Sequence, residues 1–320
     1  MKKNKLWIRL GIVILSLLLI LDIGAGYFFY NLAIDRNVKE FLIGNADLEV
    51  SAEAMDVFID GDWRSWAANQ DFEQWEMESY DGLNLQGYYL EADAPTNKTV
   101  VFAHGYLGSA RDMALFGQYY YEELGYNMFT ADLRGHGQSE GDYIGFGWHD
   151  RLDYLGWINR IIEELGPKTE IVLHGVSMGA ATVLMTSGEE LPSNVKAVVA
   201  DSPYTNVADL FGYQLERMFH LPKVPIIPTT GLVTKFKAGY TLKEASALDQ
   251  VKKATVPILY IHGSEDAFVP AEMAKELYEN TASDAELLLV DGASHGESIV
   301  IAHDTYVKKL SQFLTKYVVD

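Results

Sequence analysis

Short apolar runs alternate with longer amphipathic stretches from Thr99 to the end of the chain. Runs of this kind fit strands buried on both faces, and their separation by helices predicts a parallel sheet with helices on both sides. Such sheets bind ligands at the carboxyl ends of their strands, so we expect the functional residues directly after the runs. The runs occupy 100–103, 128–131, 171–173, 197–200, 258–261 and 287–290.

A hairpin is predicted before the first run. The segments 73–80 and 83–91 flank Asp81-Gly82, a dipeptide that favours a two-residue turn between antiparallel strands. We expect both strands at the edge of the sheet.

The interval between the fourth and fifth runs is longer than a single crossover helix requires. Its stretch 221–228 contains three prolines and is not expected to form a regular helix. Proline lacks a backbone N–H, and its ring clashes with the preceding turn. We therefore predict a small helical lid, inserted at about 204–249 over the strand ends.

The N-terminal segment has the pattern of a membrane anchor. Apolar residues fill 10–21 and, after Asp22, continue over 23–34, which together are long enough to cross a bilayer. Basic residues precede this span and acidic ones follow it, which predicts a cytoplasmic N-terminus and an extracytoplasmic catalytic domain. A carboxylate is costly at mid-bilayer, so we expect Asp22 near the outer interface or facing a partner. The basic residues are Lys2, Lys3, Lys5 and Arg9.

A cleaved signal peptide is the alternative, with its apolar core at 10–21 and cleavage near Gly24-Ala25-Gly26. Hydrophobicity continues beyond Gly26, which favours an uncleaved signal-anchor and a single-pass protein of the cell membrane.

Three parts of the chain follow from this pattern. Residues 1–36 form the cytoplasmic tip and anchor helix, 37–72 a helical linker that packs on the globular part, and 73–320 the catalytic domain. The long apolar segments with no polar face all precede residue 37. We therefore expect the part from about 37 onward to be soluble and active when detached.

Charge and composition exclude several classes of function. The net charge is −20, and because residues 1–36 are positive the remainder is more acidic still. An acidic surface repels nucleic acid and anionic headgroups, so no nucleic-acid partner is expected. The chain has no cysteine, which excludes disulfides and thiolate chemistry. It also lacks H-E-x-x-H or similar ligand spacing, so neither a metal nor another cofactor is expected.

The third run leads into Gly175-Val176-Ser177-Met178-Gly179, a G-x-S-x-G pattern between a predicted strand and helix. A serine on so sharp a turn is strained, and side chains two residues to either side would collide with the strand and helix. The strain exposes the hydroxyl, which predicts a nucleophile. The alternative is an ordinary turn in which the serine caps the helix.

Two glycine-bearing loops follow the first two runs. A developing oxyanion needs two N–H donors, which we assign to Met178, just after the nucleophile, and to Tyr106 in the loop 104–109. The alternative for that loop is a glycine turn into a helix. The loop 132–141 lacks the spacing of a phosphate-binding loop, so we predict a polar brace for the Ser177 turn.

A serine hydroxyl needs a base, and a carboxylate fixes the tautomer of that base. Of the eight histidines, His295 alone lies in a short glycine-bordered loop after the last run. Asp266 follows the fifth run and is the favoured acid, with Asp201 after the fourth run as the main alternative. Three other histidines follow or end strands beside glycines, where we expect them to satisfy local backbone groups: His104, His174 and His262.

These motifs resemble the α/β-hydrolase superfamily, specifically the bacterial exported or membrane-anchored hydrolases of the serine aminopeptidase S33-like type. The resemblance runs from about residue 75 to the C-terminus. It implies Ser177 as nucleophile, Asp266 as acid, His295 as base, and Tyr106 and Met178 as oxyanion donors. The short lid departs from relatives with large cap domains, and one fold hosts many chemistries, so the leaving group is left open. The motifs are 104–108, 132–137, 175–179, 262–266 with 269–270, and 294–296.

The sequence therefore predicts an α/β-hydrolase fold with a mostly parallel sheet, a small lid and an N-terminal transmembrane helix. The expected activity is hydrolysis of carboxylic esters through an acyl-enzyme on Ser177. A peptidase or amidase is the alternative enzyme, and an inactive surface interaction module is the alternative class, which the intact serine, aspartate and histidine disfavour. The expected substrate is a small molecule or a short acyl or peptidyl group.

Overall fold

A computed structural model describes residues 2–37, 39 and 51–318 of the chain. Within these residues, eight strands form one sheet. In chain order the strands are β1 Glu73–Glu78, β2 Asn84–Leu90, β3 Lys98–Ala103, β4 Asn127–Ala131, β5 Glu170–Val176, β6 Val195–Asp201, β7 Ile258–Gly263 and β8 Ala285–Val290.

Helices connect the strands, and a short 3₁₀ helix, Ala110–Met113, follows β3. The helices within the described ranges are α1 Lys2–Ala33, α2 Ala52–Asp60, α3 Asp62–Ala68, α4 Ala114–Glu122, α5 Asp150–Leu165, α6 Met178–Ser187, α7 Val207–Phe219, α8 Lys223–Ala238, α9 Ala247–Val251, α10 Ala271–Asn280, α11 Ser298–Ile301 and α12 His303–Tyr317.

The sheet is mostly parallel, as the apolar runs predict. Its order is β1-β2-β4-β3-β5-β6-β7-β8, and only β1 with β2 and β2 with β4 pair antiparallel. Each of the six runs lies within one strand, from β3 to β8. Alternate residues of the central strands enter two apolar clusters, so the sheet is buried on both faces. The α/β fold expected from the runs is confirmed.

The hairpin differs from its prediction in two respects. The connection between β1 and β2 runs from residue 79 to 83 instead of two residues, and β2 is not an edge strand because it also pairs with β4. One ladder bond remains here, from the Ser79 N–H to the Leu83 carbonyl at 2.8 Å, while a side chain replaces the reciprocal bond. The Ser79 hydroxyl accepts from the Leu83 N–H at 2.8 Å and donates to Asp81. Such local side-chain bonds compete with strand pairing.

The lid predicted at about 204–249 is formed by α7 and α8. The stretch 221–228 is not regular helix, as its prolines predict, because the backbone breaks within it, although Pro228 itself lies inside α8. The residue four positions earlier, Val224, has a non-helical backbone (φ −104°, ψ 129°). Its carbonyl is therefore not in the position where it would clash with the proline ring, so the helix continues to Ala238.

The predicted linker includes two short helices, α2 and α3, while its residues 38 and 40–50 lie outside the described part of the chain. Trp63 of α3 is buried, and its indole donates to the Val57 carbonyl at 2.7 Å. The ring of Trp66 meets Tyr121 of α4 edge to face, with centroids 5.6 Å apart. These contacts attach α3 to the outside of the sheet layer.

The apolar N-terminal segment is one continuous helix, and Lys5–Ala33 is long and apolar enough to cross a membrane. Its first two thirds are exposed, whereas Tyr30 and the following Ile34 are buried in the core. The last turns of α1 pack against α8. The helix is therefore attached to the globular part by side-chain packing as well as by the chain itself.

Candidate active site

Ser177 occupies the tight turn between β5 and α6. Its backbone is in a positive-φ conformation (φ 55°, ψ −115°), which is strained for a residue with a side chain. A Cβ on Gly175 would lie 2.1 Å from the Gly179 carbonyl oxygen, and a Cβ on Gly179 would lie 1.9 Å from the Ala103 oxygen. Glycine is thus required on both sides, as the G-x-S-x-G pattern predicts.

The structure brings Ser177, His295 and Asp266 together. His295 Nε2 lies 2.8 Å from the Ser177 hydroxyl oxygen, and its Nδ1 lies 2.7 Å from Asp266 Oδ2. Asp266 stands on the loop after β7 and His295 on the loop after β8, so neighbouring strand ends supply both side chains. Because Asp266 only accepts, Nδ1 carries the proton and Nε2 can accept from the serine hydroxyl.

Asp266 is held as a carboxylate. Its Oδ1 accepts from the N–H groups of Phe268 and Val269, at 2.9 and 2.7 Å. Burial would raise the pKa of Asp266, but the facing His295 and the hydrogen bonds from His262 and His295 outweigh burial and hold it far below the ordinary value. The group therefore keeps its negative charge throughout the neutral range.

His295 is correspondingly more basic than a free imidazole. Burial lowers the pKa of His295, while the charge and hydrogen bond of Asp266 and the charge of Asp201 raise it, and the net result lies above 6.5. A stronger base accepts a serine proton more readily, which suits the arrangement to proton transfer near neutral pH.

Asp201, the alternative acid, ends β6 beside the site but accepts from the Ser202 hydroxyl at 2.9 Å. Its backbone carbonyl accepts from the Ser177 N–H at 2.8 Å, so this residue supports the turn. Burial raises the pKa of Asp201 to about 6. His295 Nδ1–H thus donates to Asp266, and Asp201 supports the Ser177 turn.

The three strand-end histidines have the partners expected of structural residues, with one exception. His104 Nδ1 lies 2.8 Å from the Gly105 carbonyl, and its Nε2 accepts from the Leu133 N–H at 3.0 Å. His262 Nε2 lies 2.8 Å from the Val269 carbonyl and 3.1 Å from Asp266 Oδ2, so it also supports the carboxylate that faces His295. His174 differs, because its ring lies between the hydroxyls of Tyr120 and Tyr306 instead of contacting backbone groups.

The loop 132–141 makes hydrogen bonds to the loop after β3. It supports that loop more directly than it supports the Ser177 turn. Asp132 Oδ1 accepts from the Ala110 N–H at 2.9 Å, and the Leu133 N–H binds His104. Arg134 is buried and bridges Asp153 at 2.7 Å and Asp81 at 2.9 Å. The brace predicted for the Ser177 turn thus acts on the adjoining loop that carries Tyr106.

Both predicted oxyanion donors stand next to Ser177. Met178 begins α6, where backbone N–H groups have no partner within the helix. The loop after β3 approaches closely, since a Cβ on Gly105 would lie 3.6 Å from the Ser177 Cβ. Tyr106 lines the same pocket as Ser177, and its side-chain hydroxyl donates to the Ala33 carbonyl of α1 at 2.7 Å.

Ser177 faces an apolar pocket of about 90 Å³ under the lid. Of the described residues that line it, none carries a charge, and the polar side chains include Gln214 and Thr230. The Gln214 amide donates to the Phe268 carbonyl at 2.5 Å. The lid supplies much of the wall, including Leu210, Phe211, Leu215 and Phe219.

Three further pocket residues come from α1 and were not predicted from the sequence: Phe29, Leu32 and Ala33. The apolar pattern of α1 is fully accounted for by a membrane anchor, so it contains no separate signal for a pocket wall. One signal in the sequence does indicate that α1 packs against another helix. Asp22 and Gly26 are a polar and a small residue four positions apart on one helix face, and such residues are typical of close helix packing.

Within residues 2–37, 39 and 51–318, no group of three or more histidine, aspartate or glutamate side chains is placed to hold a metal ion. The polar groups that meet at the pocket are a hydroxyl, an imidazole and a carboxylate in a hydrogen-bonded line.

Known proteins resemble this chain in sequence and fold. A family model described as serine aminopeptidase, S33, matches residues 94–235 and 220–297. An uncharacterised Bacillus subtilis protein, YqkD, is 30% identical over 258 residues, covering 77% of this chain and 81% of the relative. Human alpha/beta hydrolase domain-containing protein 17C is 26% identical over 237 residues, covering 72% of this chain and 63% of the relative.

Solved structures agree on the architecture. The Pyrococcus furiosus esterase Pf2001 superposes with a TM-score of 0.63 at 24% identity, covering 80% of this chain and 96% of the esterase. The Pyrococcus horikoshii acylaminoacyl peptidase superposes with a TM-score of 0.60 at 18% identity, covering 81% of this chain and 44% of the peptidase. The chain is thus a hydrolase of the α/β-hydrolase superfamily and belongs to the serine aminopeptidase S33 family.

Proposed function

We propose that the protein hydrolyses carboxylic esters, with Ser177 as nucleophile, His295 as general base and Asp266 as the acid that orients the base. The observation that carries this proposal is the hydrogen-bonded line from Ser177 through His295 to Asp266 at the wall of an apolar pocket. Membership of a hydrolase family and the esterase of the same fold support the reaction class.

Each step uses groups of this chain. Ser177 Oγ attacks the acyl carbon while His295 Nε2 takes the hydroxyl proton, and the N–H groups of Tyr106 and Met178 stabilise the negative oxygen that forms. His295 then returns the proton to the departing alkoxide, which leaves an acyl group on Ser177. Water attacks this acyl-enzyme by the same route, and the carboxylic acid is released.

The pocket favours an ester with an apolar acyl group over a peptide with a free amino terminus. A free α-ammonium would lose its hydration in the pocket, and none of the described lining residues offers a carboxylate to pair with it. Amide hydrolysis is the alternative reaction, because an acylaminoacyl peptidase has the same fold. Rates measured on a panel of acyl esters and aminoacyl anilides distinguish ester hydrolysis from amide hydrolysis.

We infer further that α1 anchors the protein in the cell membrane, with its N-terminus in the cytoplasm and the catalytic domain outside. The helix Lys5–Ala33 is long enough to span, and the preceding lysines supply the positive-inside signal. Gly26 lies at the predicted cleavage site but is buried against Thr229 of α8, which supports an uncleaved helix.

Labelling by a fluorophosphonate probe tests the nucleophile. We expect the full chain to be labelled and to hydrolyse nitrophenyl esters, and Ser177→Ala to lose labelling and several powers of ten in kcat without a change in thermal midpoint. Ser193→Ala, an exposed serine of the loop before β6, should behave as the parent protein. Retained turnover in purified Ser177→Ala would refute the assignment.

A further inference from the structure

The end of α1 forms one wall of the pocket that contains Ser177. The ring of Phe29 meets Phe219 of α7 edge to face, with centroids 5.2 Å apart. The Ala33 carbonyl accepts from the Tyr106 hydroxyl, and Phe29, Leu32 and Ala33 line the cavity. A helix with the pattern of a membrane anchor therefore contributes directly to the surface that meets the substrate.

One face of α1 is shaped for this contact. Asp22, Gly26, Phe29 and Ala33 recur at spacings of three and four residues, which places them on one side of a helix. Gly26 is buried because the chain of Thr229 in α8 comes so close, and Asp22 accepts from the Thr229 hydroxyl at 2.5 Å. This bond provides the partner that a carboxylate in an apolar environment requires.

The preceding part of α1 is exposed and apolar from Leu10 to Leu21. A span needs about 20 residues, so a count from Leu10 reaches about Phe29, just past the point where Gly26 meets α8. The bilayer therefore has to extend to the level of the lid. The outer surface of the lid also exposes large apolar side chains, since Val224, Leu232 and Phe236 are between 68% and 85% exposed, with the exposed Lys235 and Lys237 beside Phe236.

The pocket begins at this level. Phe29 lies at the end of this count, and Ala33 lies four residues further, which is roughly 6 Å along a helix. The pocket has no charged lining among the described residues, and its volume of about 90 Å³ is smaller than the roughly 150 Å³ of a cavity that takes benzene. A longer chain therefore has to continue between α1 and the lid.

We propose that the substrate is a single-chain acyl ester resident in the outer leaflet, and that its acyl chain lies against α1 between Leu32 and the lid. The proposal rests on the ester hydrolysis proposed above. Water cleaves the bond between the acyl carbon and the alcohol oxygen, so a fatty acid and an alcohol leave the site. Because one helix both spans the bilayer and lines the pocket, the chain remains in apolar surroundings from membrane to Ser177.

The test varies the pocket wall of α1 while leaving its membrane segment unchanged. Leu32→Trp adds bulk to the wall, whereas Asn31→Trp places the same side chain on the exposed side of the same turn. The full chain and both variants are placed in phosphatidylethanolamine–phosphatidylglycerol vesicles. Hydrolysis of nitrophenyl butanoate and nitrophenyl dodecanoate is measured, and fluorophosphonate labelling reports an intact Ser177.

We expect the parent protein to prefer the dodecanoate. Leu32→Trp should lower the dodecanoate-to-butanoate ratio of kcat/KM by roughly tenfold or more. A difference of one methylene group in an apolar pocket already changes the kcat/KM of competing substrates by such a factor. Asn31→Trp should keep the parental ratio. If Leu32→Trp is not labelled, Leu32→Ala replaces it and is expected to raise the ratio by opening the wall.

Two results would overturn the inference in distinguishable ways. Equal ratios in the labelled Leu32 and Asn31 variants, or a parental preference for butanoate, would remove α1 from acyl binding and leave ester hydrolysis intact. Absence of labelling and of hydrolysis in the parent protein would instead refute the proposed function.

Discussion

At Ser177 the geometry has a local cause, and the sequence reveals it. The flanking glycines are required because a Cβ at either position would approach a carbonyl oxygen to about 2 Å, so the spacing alone predicts the turn. The choice between Asp266 and Asp201 has no such local cause, since both follow strands. It depends on where the loop after β7 folds, and on the Phe268 and Val269 N–H groups that hold Asp266 beneath His295.

Two isosteric substitutions separate the roles of these carboxylates. Asp266→Asn should leave the fold intact but disturb the tautomer of His295, with a loss of roughly 10⁴ in kcat, the cost of the same substitution in a serine protease triad. Asp201→Asn should cost far less in kcat and should lower the thermal midpoint, because its carboxylate binds Ser202. Steady-state kinetics and thermal midpoints of both variants decide the matter. The reverse order of the two losses in kcat would exchange the assignments.

The raised pKa of His295 predicts a pH dependence of activity. Only the neutral imidazole can accept the Ser177 proton, so kcat/KM should fall as pH falls through a midpoint above 6.5. Asp266→Asn removes the largest influence that raises this pKa, so the midpoint of its residual activity should move to lower pH. Profiles of kcat/KM against pH measure both midpoints. An unchanged midpoint in Asp266→Asn would contradict the coupling.

The same shift has a consequence for stability with a defined sign. A histidine whose pKa rises on folding adds stability that is fully present below its unfolded value, near 6.5, and is lost as pH rises through the folded value. The contribution of the protonated His295–Asp266 pair therefore declines as pH rises from about 6.5 through the raised pKa of His295, and the catalytically useful neutral form replaces it.

Among the elements, the strands were the most predictable because buried parallel strands leave an uninterrupted apolar run. The differences from prediction occur where side chains or backbone breaks act locally. The Ser79 and Asp81 side chains lengthen the hairpin turn, and the non-helical backbone of Val224 lets α8 include Pro228. Neither effect changes the spacing of apolar residues along the chain. The length of the hairpin turn and the inclusion of Pro228 in α8 therefore cannot be predicted from that spacing.

The contact between α1 and α8 can be tested with a matched pair of glycines. A Cβ on Gly26 would lie 2.8 Å from Thr229 Cγ2 and 3.2 Å from the Thr229 backbone, whereas a Cβ on Gly24 meets nothing within 4 Å. Gly26→Val should destabilise the full chain by about 1–3 kcal/mol, the usual cost of overpacking. Gly24→Val adds the same side chain without that cost.

Thermal midpoints in detergent provide the measurement. A loss of 1 kcal/mol lowers the midpoint by about 2–4 °C in domains of this size class. Equal midpoints for Gly26→Val and Gly24→Val would mean that α1 does not pack on the lid.

On the scale of the molecule, α1 has two uses, and the sequence predicts one of them, the membrane anchor, but not the other, the wall of the pocket. A helix that enters a bilayer and a helix that lines an apolar pocket need the same residues, so composition cannot distinguish the two uses. The expected independence of the part from residue 37 onward conflicts with the burial of Tyr30 and Ile34 in the core. Removal of 1–36 should therefore expose one side of the pocket as well as detach the anchor.

The orientation of the whole chain is testable because it has no cysteine. Lys168→Cys in the exposed loop before β5 and Lys5→Cys at the start of the span each create a single thiol. With the N-terminus in the cytoplasm, an impermeant maleimide should label the first variant on intact cells and the second only after lysis. The opposite labelling pattern would invert the topology.

The hydrogen bond between Tyr106 and the Ala33 carbonyl joins the anchor to the loop beside the nucleophile. An unrelated spanning helix of equal length would still hold the protein in the bilayer, but it would replace Phe29 and Leu32 and alter the support of that loop. The anchor is therefore not an interchangeable part. Exchange of this helix in a fusion protein, or its divergence among relatives, would change the substrate specificity of the enzyme. Its location in the membrane would stay the same.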